Sequence, residues 1–473
     1  MLIKKGADIN AQHGYYGNAL QAASARGHLE IAEMLILKGA DINTQGGEYS
    51  NALQAASRGH LEIVQMLIKK GANINTQGGH MARNLEIIKI LIEKGADINA
   101  QGGDHSNALQ AASADRHLEI IKMLIQKGAN INAQGGLFSN ALHAASGGSH
   151  LEVADMLIQK GANINTQGGE YSNTLQAASA AGHLEITEIL IEKGADINTH
   201  GGFYGNALQA ASAAGHLEIA EMLIEKGADI NAQGGDHGNA LQATSEGGHL
   251  EFAEMLELQI LIQKDADINA QGGVFGNALQ AASAAGYLEI TKMLIQKGAD
   301  INAQGGLFGN ALQAASGGGH LGIAQMLIQK GANINAHSGF YSNALHAASA
   351  RGRLEVTEIL IQKGADINTQ DGLFGNTLQA ASAAGHLEIA EMLIQKGADF
   401  NAQGGLFGNA LQAASAGGHL EIAQLLVENS ADINAQGRYH SNTLQAASVL
   451  GHQEIAKILI QNSAKRTDSL SDQ

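Results

Sequence analysis

Residues 215–232 read GHLEIAEMLIEKGADINA, and this stretch decides the fold. After His216, the apolar residues Leu217, Ile219, Ala220, Leu223 and Ile224 recur at helical spacing, while Glu218, Glu221 and Glu225 fall on the opposite face. The pattern predicts a short amphipathic helix with a solvated, acidic side. Gly227 stops it, and residues 228–235, ADINAQGG, predict extended chain with turn signals. On the N-terminal side, residues 206–214 read NALQAASAA. Asn206 is a strong N-cap, the alanine-rich run predicts a first short helix, and Gly215 supplies the left-handed residue that ends it. Two helices this short stack closely only if their facing side chains are small.

The unit recurs. The tetrapeptide Asn, Ala or Thr, Leu, then Gln or His returns from Asn18 to Asn442, and ten of its twelve intervals are 33 residues. The exceptions are 56 residues between Asn51 and Asn107 and 38 between Asn239 and Asn277. A fixed period in this range predicts a stacked array, because one unit cannot bury its apolar face without neighbours. The expected fold is an all-α repeat solenoid of about 14 helix–turn–helix units, each closed by a hairpin loop, over residues 1–463. Residues 464–473 read as a polar, disordered tail.

Helix, turn, helix and hairpin at this period resemble the ankyrin repeat, and residues 215–232 match that family's second helix and following turn almost residue for residue. Where the family usually has Thr-Pro-Leu-His, this unit has Asn206-Ala207-Leu208-Gln209. Asn caps at least as well as Thr, Ala gives up only a fixed φ, and Gln donates and accepts as His does. His143 and His346 restore the family's residue in two units. The dialect is similar to long ankyrin arrays of filamentous fungi, some attached to NACHT-type signalling ATPases. The resemblance implies a non-catalytic scaffold that binds a protein along its hairpin edge and the inner face of its first helices. The alternative it implies is the sensor portion of such a signalling protein.

Two places depart from the period. Residues 78–87, GGHMARNLEI, lack most of a first helix, and residues 254–267, EMLELQILIQKDAD, run five residues long with Asp265 in place of the turn glycine. Each is expected to interrupt stacking, leaving segments of roughly 1–94, 95–264 and 265–463. Limited proteolysis is then expected to cut first near Gly79–Asn84 or Glu257–Asp265, and uniform protection of both would contradict this. Met1 aligns with Met222, so the first unit starts inside a second helix. An uncapped N-terminal unit suggests self-association.

Composition bounds the function. A formal net charge of −17 argues against a nucleic-acid surface, which needs clustered Lys and Arg. No apolar run approaches the roughly 20 residues that span a bilayer. With no cysteine the chain forms no disulfide, which fits a cytoplasmic or nuclear setting. Eleven histidines share the position of His216, but residues one repeat apart cannot converge on one ion, so each is expected to cap its own helix and bond nearby backbone. Residues 229–240 faintly resemble a calcium loop, yet Ala240 stands where a bidentate Glu is needed. The Asx residues there are expected to fix the turn between repeats. The glycines of residues 305–310 lack the Lys and Ser of a phosphate loop. No catalytic, metal or cofactor site is expected.

One slot concentrates the chain's aromatic residues, which number 8 Tyr and 9 Phe. Fourteen of them fall in the pair before each hairpin's final Gly/Ser-Asn: Tyr15, Tyr16, Tyr49, Phe138, Tyr171, Phe203, Tyr204, Phe275, Phe308, Phe340, Tyr341, Phe374, Phe407 and Tyr439. Near-identical repeats that diversify at one exposed pair point to a partner-binding edge, since aromatics dominate hot spots. The competing reading is that neighbouring tips stack their rings to zip the hairpins together. The sequence leaves both open.

Overall fold

The computed structural model describes residues 7–75, 84–102, 106–169, 171–247, 258–370, 373–436 and 442–471, with side chains through residue 463. It resolves into two compact units, one of Met1–Ala211 with Glu225–Ala228 and one of Ser212–Ile224 with Asp229–Gln473. Among the described residues both are stacks of helix pairs, an all-α repeat solenoid with bridges but no named strand.

Each repeat is built alike. In the second unit, Ala311–Gly318 is a first helix capped by Asn310, and Leu321–Gln329 is the second helix. First helices pack on first helices, as Ala278–Ala285 does on Ala311–Gly318, and second helices follow behind them. The core between the rows is small and aliphatic. Leu378, Ala381, Ile389, Leu393, Leu411, Ile422 and Leu426 share one cluster in the second unit, and Leu20, Leu53, Ile63, Val64, Leu67 and Ile87 share one in the first. Alanine at the facing positions is what allows the close approach that buries the longer leucines.

Four polar devices tie repeat to repeat. The Gln of the first helix closes its own N-cap and also reaches forward. In Asn310 and Gln313 each side chain bonds the other's backbone N–H (2.9 and 2.8 Å), while Gln313 Nε2 donates to Ser338 O and Ser342 O of the next repeat (2.9 and 2.6 Å). The Asn of each Asx-Ile-Asn turn forms a second tie. Asn302 Nδ2 donates to Gly331 O (3.2 Å) and its Oδ1 accepts from Asn333 N–H (2.7 Å), and the pattern repeats along both units.

The recurring histidine is the third tie and corrects an expectation. His320 makes no side-chain bond to its own helix end; its Nε2 instead meets Ala284 O of the preceding repeat (3.0 Å). His60, His150, His386, His419 and His452 reach back in the same way. The ring lies against the glycine that ends the preceding first helix. Gly286 has φ 92°, and a Cβ there would come within 2.5 Å of the His320 ring. The fourth tie joins hairpin tips and belongs to the candidate site.

Both irregular places are spanned by the asparagine ladder. Asn75 Nδ2 donates to Gly95 O (3.1 Å) and its Oδ1 accepts from Asp97 N–H (2.8 Å), although the interval is shortened. The second helices Leu61–Lys69, Leu85–Glu93 and Leu118–Gln126 pack in order through this point. At the longer repeat Asn231 reaches Asp265 O (3.2 Å) and Asp267 N–H (2.7 Å), and Ala240–Gly247 packs on Ala278–Ala285. The two units divide instead near residues 211–229.

The last helix runs Gln453–Ser471. Ser430, at the position of Gly227, takes φ 68° just after its helix ends, whereas the last helix continues past Ser463 at that position. Met1–Gly6, residues 79–83 of the first expected proteolysis window and residue 257 of the second lie outside the described residues.

Candidate binding surface

The hairpin tips carry the aromatic slot, and the structure divides each pair. A tip such as residues 305–309 closes through an antiparallel bridge between Gly305 and Gly309. Its second glycine, Gly306 (φ 60°), lies so near the preceding tip that a Cβ would fall 2.3 Å from the Phe275 carbonyl carbon. Main-chain bonds then run from tip to tip: Val274 N–H to Asp236 O (2.8 Å), Leu307 to Val274 (2.8 Å) and Phe340 to Leu307 (2.9 Å). These bonds join the first members of successive pairs. Their side chains stand in a row, and most are exposed.

In the first unit the exposed apolar first members are Tyr15, Leu137 and Phe203; in the second they are Val274, Leu307, Phe340 and Leu373, with Leu307 59% and Phe340 53% exposed. Tyr15, Phe203 and Phe340 are the expected site residues found here. Leu137, Val274, Leu307 and Leu373 share the position without being aromatic, so a count of rings does not reach them. The signal was present as position, one residue before each ring.

The second members are not exposed as expected. Tyr16, Phe138, Tyr171, Tyr204, Phe275, Phe308, Tyr341, Phe374 and Phe407 are half-buried and Tyr49 is buried. Tyr439 lies outside the described residues. The cause is stacking between repeats. Phe275 and Phe308 lie 5.4 Å apart at 10°, Tyr171 and Tyr204 6.0 Å apart at 3°, and Tyr16 and Tyr49 6.1 Å apart. Within a tip the first ring meets the second edge-on, as Phe340 does Tyr341 at 5.0 Å. Offset and edge-on pairs of this kind contribute about 0.5–1.5 kcal/mol beyond their buried area.

Three of these rings are also held by their own first helix. Arg26, Arg58 and Arg351 donate to the hydroxyls of Tyr16, Tyr49 and Tyr341 (2.5, 2.9 and 3.2 Å), each guanidinium lying 5.0–5.6 Å from the ring centroid. His237 and Glu246 meet at the positions of Tyr49 and Arg58 (2.7 Å). These larger, charged side chains stand at or just past the end of otherwise alanine-rich first helices.

One internal histidine is strained electrostatically. His143 occupies the Gln position, is fully buried, and neither ring nitrogen has a hydrogen-bond partner. Burial lowers its pKa from 6.5 to about 4. His346, at the same position, bonds Gly375 O through Nε2 (2.9 Å). Among the described residues there is no grouping of three or more His, Cys, Asp or Glu that would hold a metal ion. No described helix is long and apolar enough to cross a membrane.

Stacked helix pairs, each closed by a projecting hairpin, define the class of protein: a repeat array that offers an edge. The models of the family described as ankyrin repeats match residues 1–78, 80–168, 142–234 and 377–469, and 278–328 and 345–394. The chain belongs to the ankyrin repeat family, whose repeats generally mediate protein–protein interaction and are typically non-catalytic. No curated protein matches the chain.

Proposed function

We propose that this chain is a non-catalytic protein-interaction scaffold whose partner lies along the hairpin edge, against the first members of the tip pairs. One observation carries this reading. Exposed Val274, Leu307, Phe340 and Leu373 stand in consecutive repeats, and the neighbouring rings that could have been exposed are turned into inter-repeat stacks instead. An apolar row on a rigid, hydrogen-bonded support is what a binding edge needs, since a preorganised surface loses little entropy on association. The rings at second positions then support the edge, and Tyr15, Phe203 and Phe340 touch the partner. A protein partner fits this apolar edge and the acidic chain better than nucleic acid does. The lack of cysteine suits a cytoplasmic or nuclear scaffold. The narrower reading, a sensor portion of a signalling ATPase, rests on resemblance alone and adds no residue to this edge.

The test compares neighbours in one tip. Partners recovered from cell extract are first identified by mass spectrometry. Leu307→Ser and Phe340→Ser are then expected to melt like the parent, because exposed substitutions move stability by no more than about 0.5 kcal/mol. Each is expected to weaken the partner by about 2 kcal/mol, roughly 30-fold, if it is a hot spot. Phe308→Ser is expected to cost about 1 kcal/mol or more of stability without a partner. Equal binding by the parent and the Leu307→Ser/Phe340→Ser double variant would end this proposal.

A further inference from the structure

The tips of the second unit are spaced by their own backbone, and the spacing selects the kind of segment that fits them. Val274 N–H donates to Asp236 O, Leu307 N–H to Val274 O and Phe340 N–H to Leu307 O (2.8, 2.8 and 2.9 Å), so each tip sits one hydrogen bond from the last. Behind this run the rings of Phe275 and Phe308 stack at 5.4 Å. Glycine keeps the interval short: a Cβ at Gly273 would lie 2.6 Å from Asp236 O, and one at Gly339 would lie 2.5 Å from Gly309 N. Exposed Val274, Leu307 and Phe340 therefore recur along the edge at close to the 5.4 Å of the rings behind them.

An α-helix laid along such a row presents a side chain to it once per turn, about 5.4 Å, and its residues three or four apart stand roughly 5–6 Å from one another. Same-face residues of an extended strand stand about 6.4–6.8 Å apart. Over the three steps from Asp236 to Phe340 a strand drifts out of register by about 3–4 Å, enough to put a side chain in the gap between two tips. A helix drifts by about 1 Å at most. Beside the row, the end of a first helix faces its own tip, as Arg351 Nε does in donating to the Tyr341 hydroxyl (3.2 Å). In the repeats of Val274 and Leu307 that end carries only Ala284-Ala285 and Gly317-Gly318, so no long side chain there obstructs a cylinder about 10 Å across. Charge marks where the apolar run begins. Asp236 is exposed in the tip before Val274, and the Glu246 carboxylate meets His237 in the same repeat (2.7 Å).

We infer that the edge of the second unit binds an amphipathic α-helix of the partner. The helix lies along the row, with one apolar residue per turn on Val274, Leu307 and Phe340 and a basic residue one turn beyond them at Asp236. The inference rests on the hairpin edge being the binding edge, and adds the conformation and charge of what binds there.

Two fluorescent peptides of one composition, each about 18 residues or five helical turns long, test it by anisotropy with the full chain. One places its leucines three and four residues apart, the other places them two apart, and both carry Lys at each end. The helical pattern is expected to bind about tenfold more tightly or better, with a gain in helical circular dichroism on binding. Leu307→Ser and Phe340→Ser are each expected to weaken it about tenfold or more. Asp236→Lys is expected to weaken it about threefold to tenfold and to strengthen a version with Glu at each end by a similar factor. Thermal melts check that each variant is folded. Equal or tighter binding of the alternating peptide, binding without a gain in helix, or no binding of either peptide would overturn the helix. Indifference of both end versions to Asp236→Lys would overturn the basic residue. Capture of the cell-extract partner separates this from the edge itself: its loss in the Leu307→Ser/Phe340→Ser double variant upholds the edge whatever the peptides do, and its retention overturns both.

Discussion

His143 shows how much one side chain is asked to do in this repeat. At the same position Gln110 Nε2 donates to Ala133 O and Ser139 O (3.1 and 2.9 Å), a reach that the shorter, forked imidazole of His143 does not reproduce. The consequence depends on pH, and its sign follows from proton binding. An unfolded imidazole titrates near 6.5 and the folded one near 4, so between these values only the unfolded state takes the proton. Stability is therefore full above pH 6.5 and is lost as pH falls toward 4. The shift corresponds to about 3 kcal/mol at the low end. His143→Gln is expected to be at least as stable as the parent at neutral pH and clearly more stable near pH 5. Denaturant melts at the two pH values measure the difference, and parallel pH profiles would show that His143 does not set it. At the hairpin, Arg351→Ala is expected to loosen Tyr341 and cost about 0.5–1 kcal/mol, from the lost hydrogen bond and cation–π contact, with thermal melting as the readout.

At the scale of the element, each repeat is held by polar ties that are individually modest and collectively repeated. Asn302→Ala removes one bond to Gly331 O and one from Asn333 N–H, both exposed to solvent. Its expected cost is about 1–2 kcal/mol, concentrated in the repeats on either side and visible as faster amide exchange there. The helices themselves were legible in the sequence. Apolar period, Asn caps and left-handed glycines all pointed to the same pair of short helices, and Asn310 and Gly319 close one of them as read. The direction of the ties was not legible. His320 follows the glycine of a turn and precedes a helix, a sequence position that reads as a cap. Its partner, Ala284 O, lies in another repeat. The division of the tip pair was hidden for a related reason. Phe308 and Leu307 are adjacent and both apolar, and only the neighbouring tip decides which of them turns inward.

At the scale of the whole molecule, cooperativity in such an array is a sum of neighbour terms, so each interface limits how far disorder spreads. The sequence suggested two weak joints, and the family itself was legible from residues 215–232 alone. The asparagine ladder and the row of second helices run through the shortened interval from Asn75 to Gly95. Asn75→Ala is therefore expected to destabilise the first unit more than Asn132→Ala does, because at the shortened interval fewer contacts share the load. Denaturant melts of the two variants decide this, and equal losses would contradict it.

That ladder also bears on heredity. A gene that encodes nearly identical tracts misaligns with itself, and whole repeats are gained or lost in one event. Each of these Asn side chains addresses only the carbonyl of a turn residue, a glycine or in one case Asp265, and an Asx N–H in the next unit, features that almost any other unit supplies equally well. Asn302 would meet the same groups in the repeat of Gly364 and Asp366 as it meets now at Gly331 and Asn333. A chain shortened by residues 311–343 is therefore a grammatical sentence, since its new neighbours share one syntax. The ladder therefore sets no fixed copy number, and the exposed tip positions of each copy stand outside it.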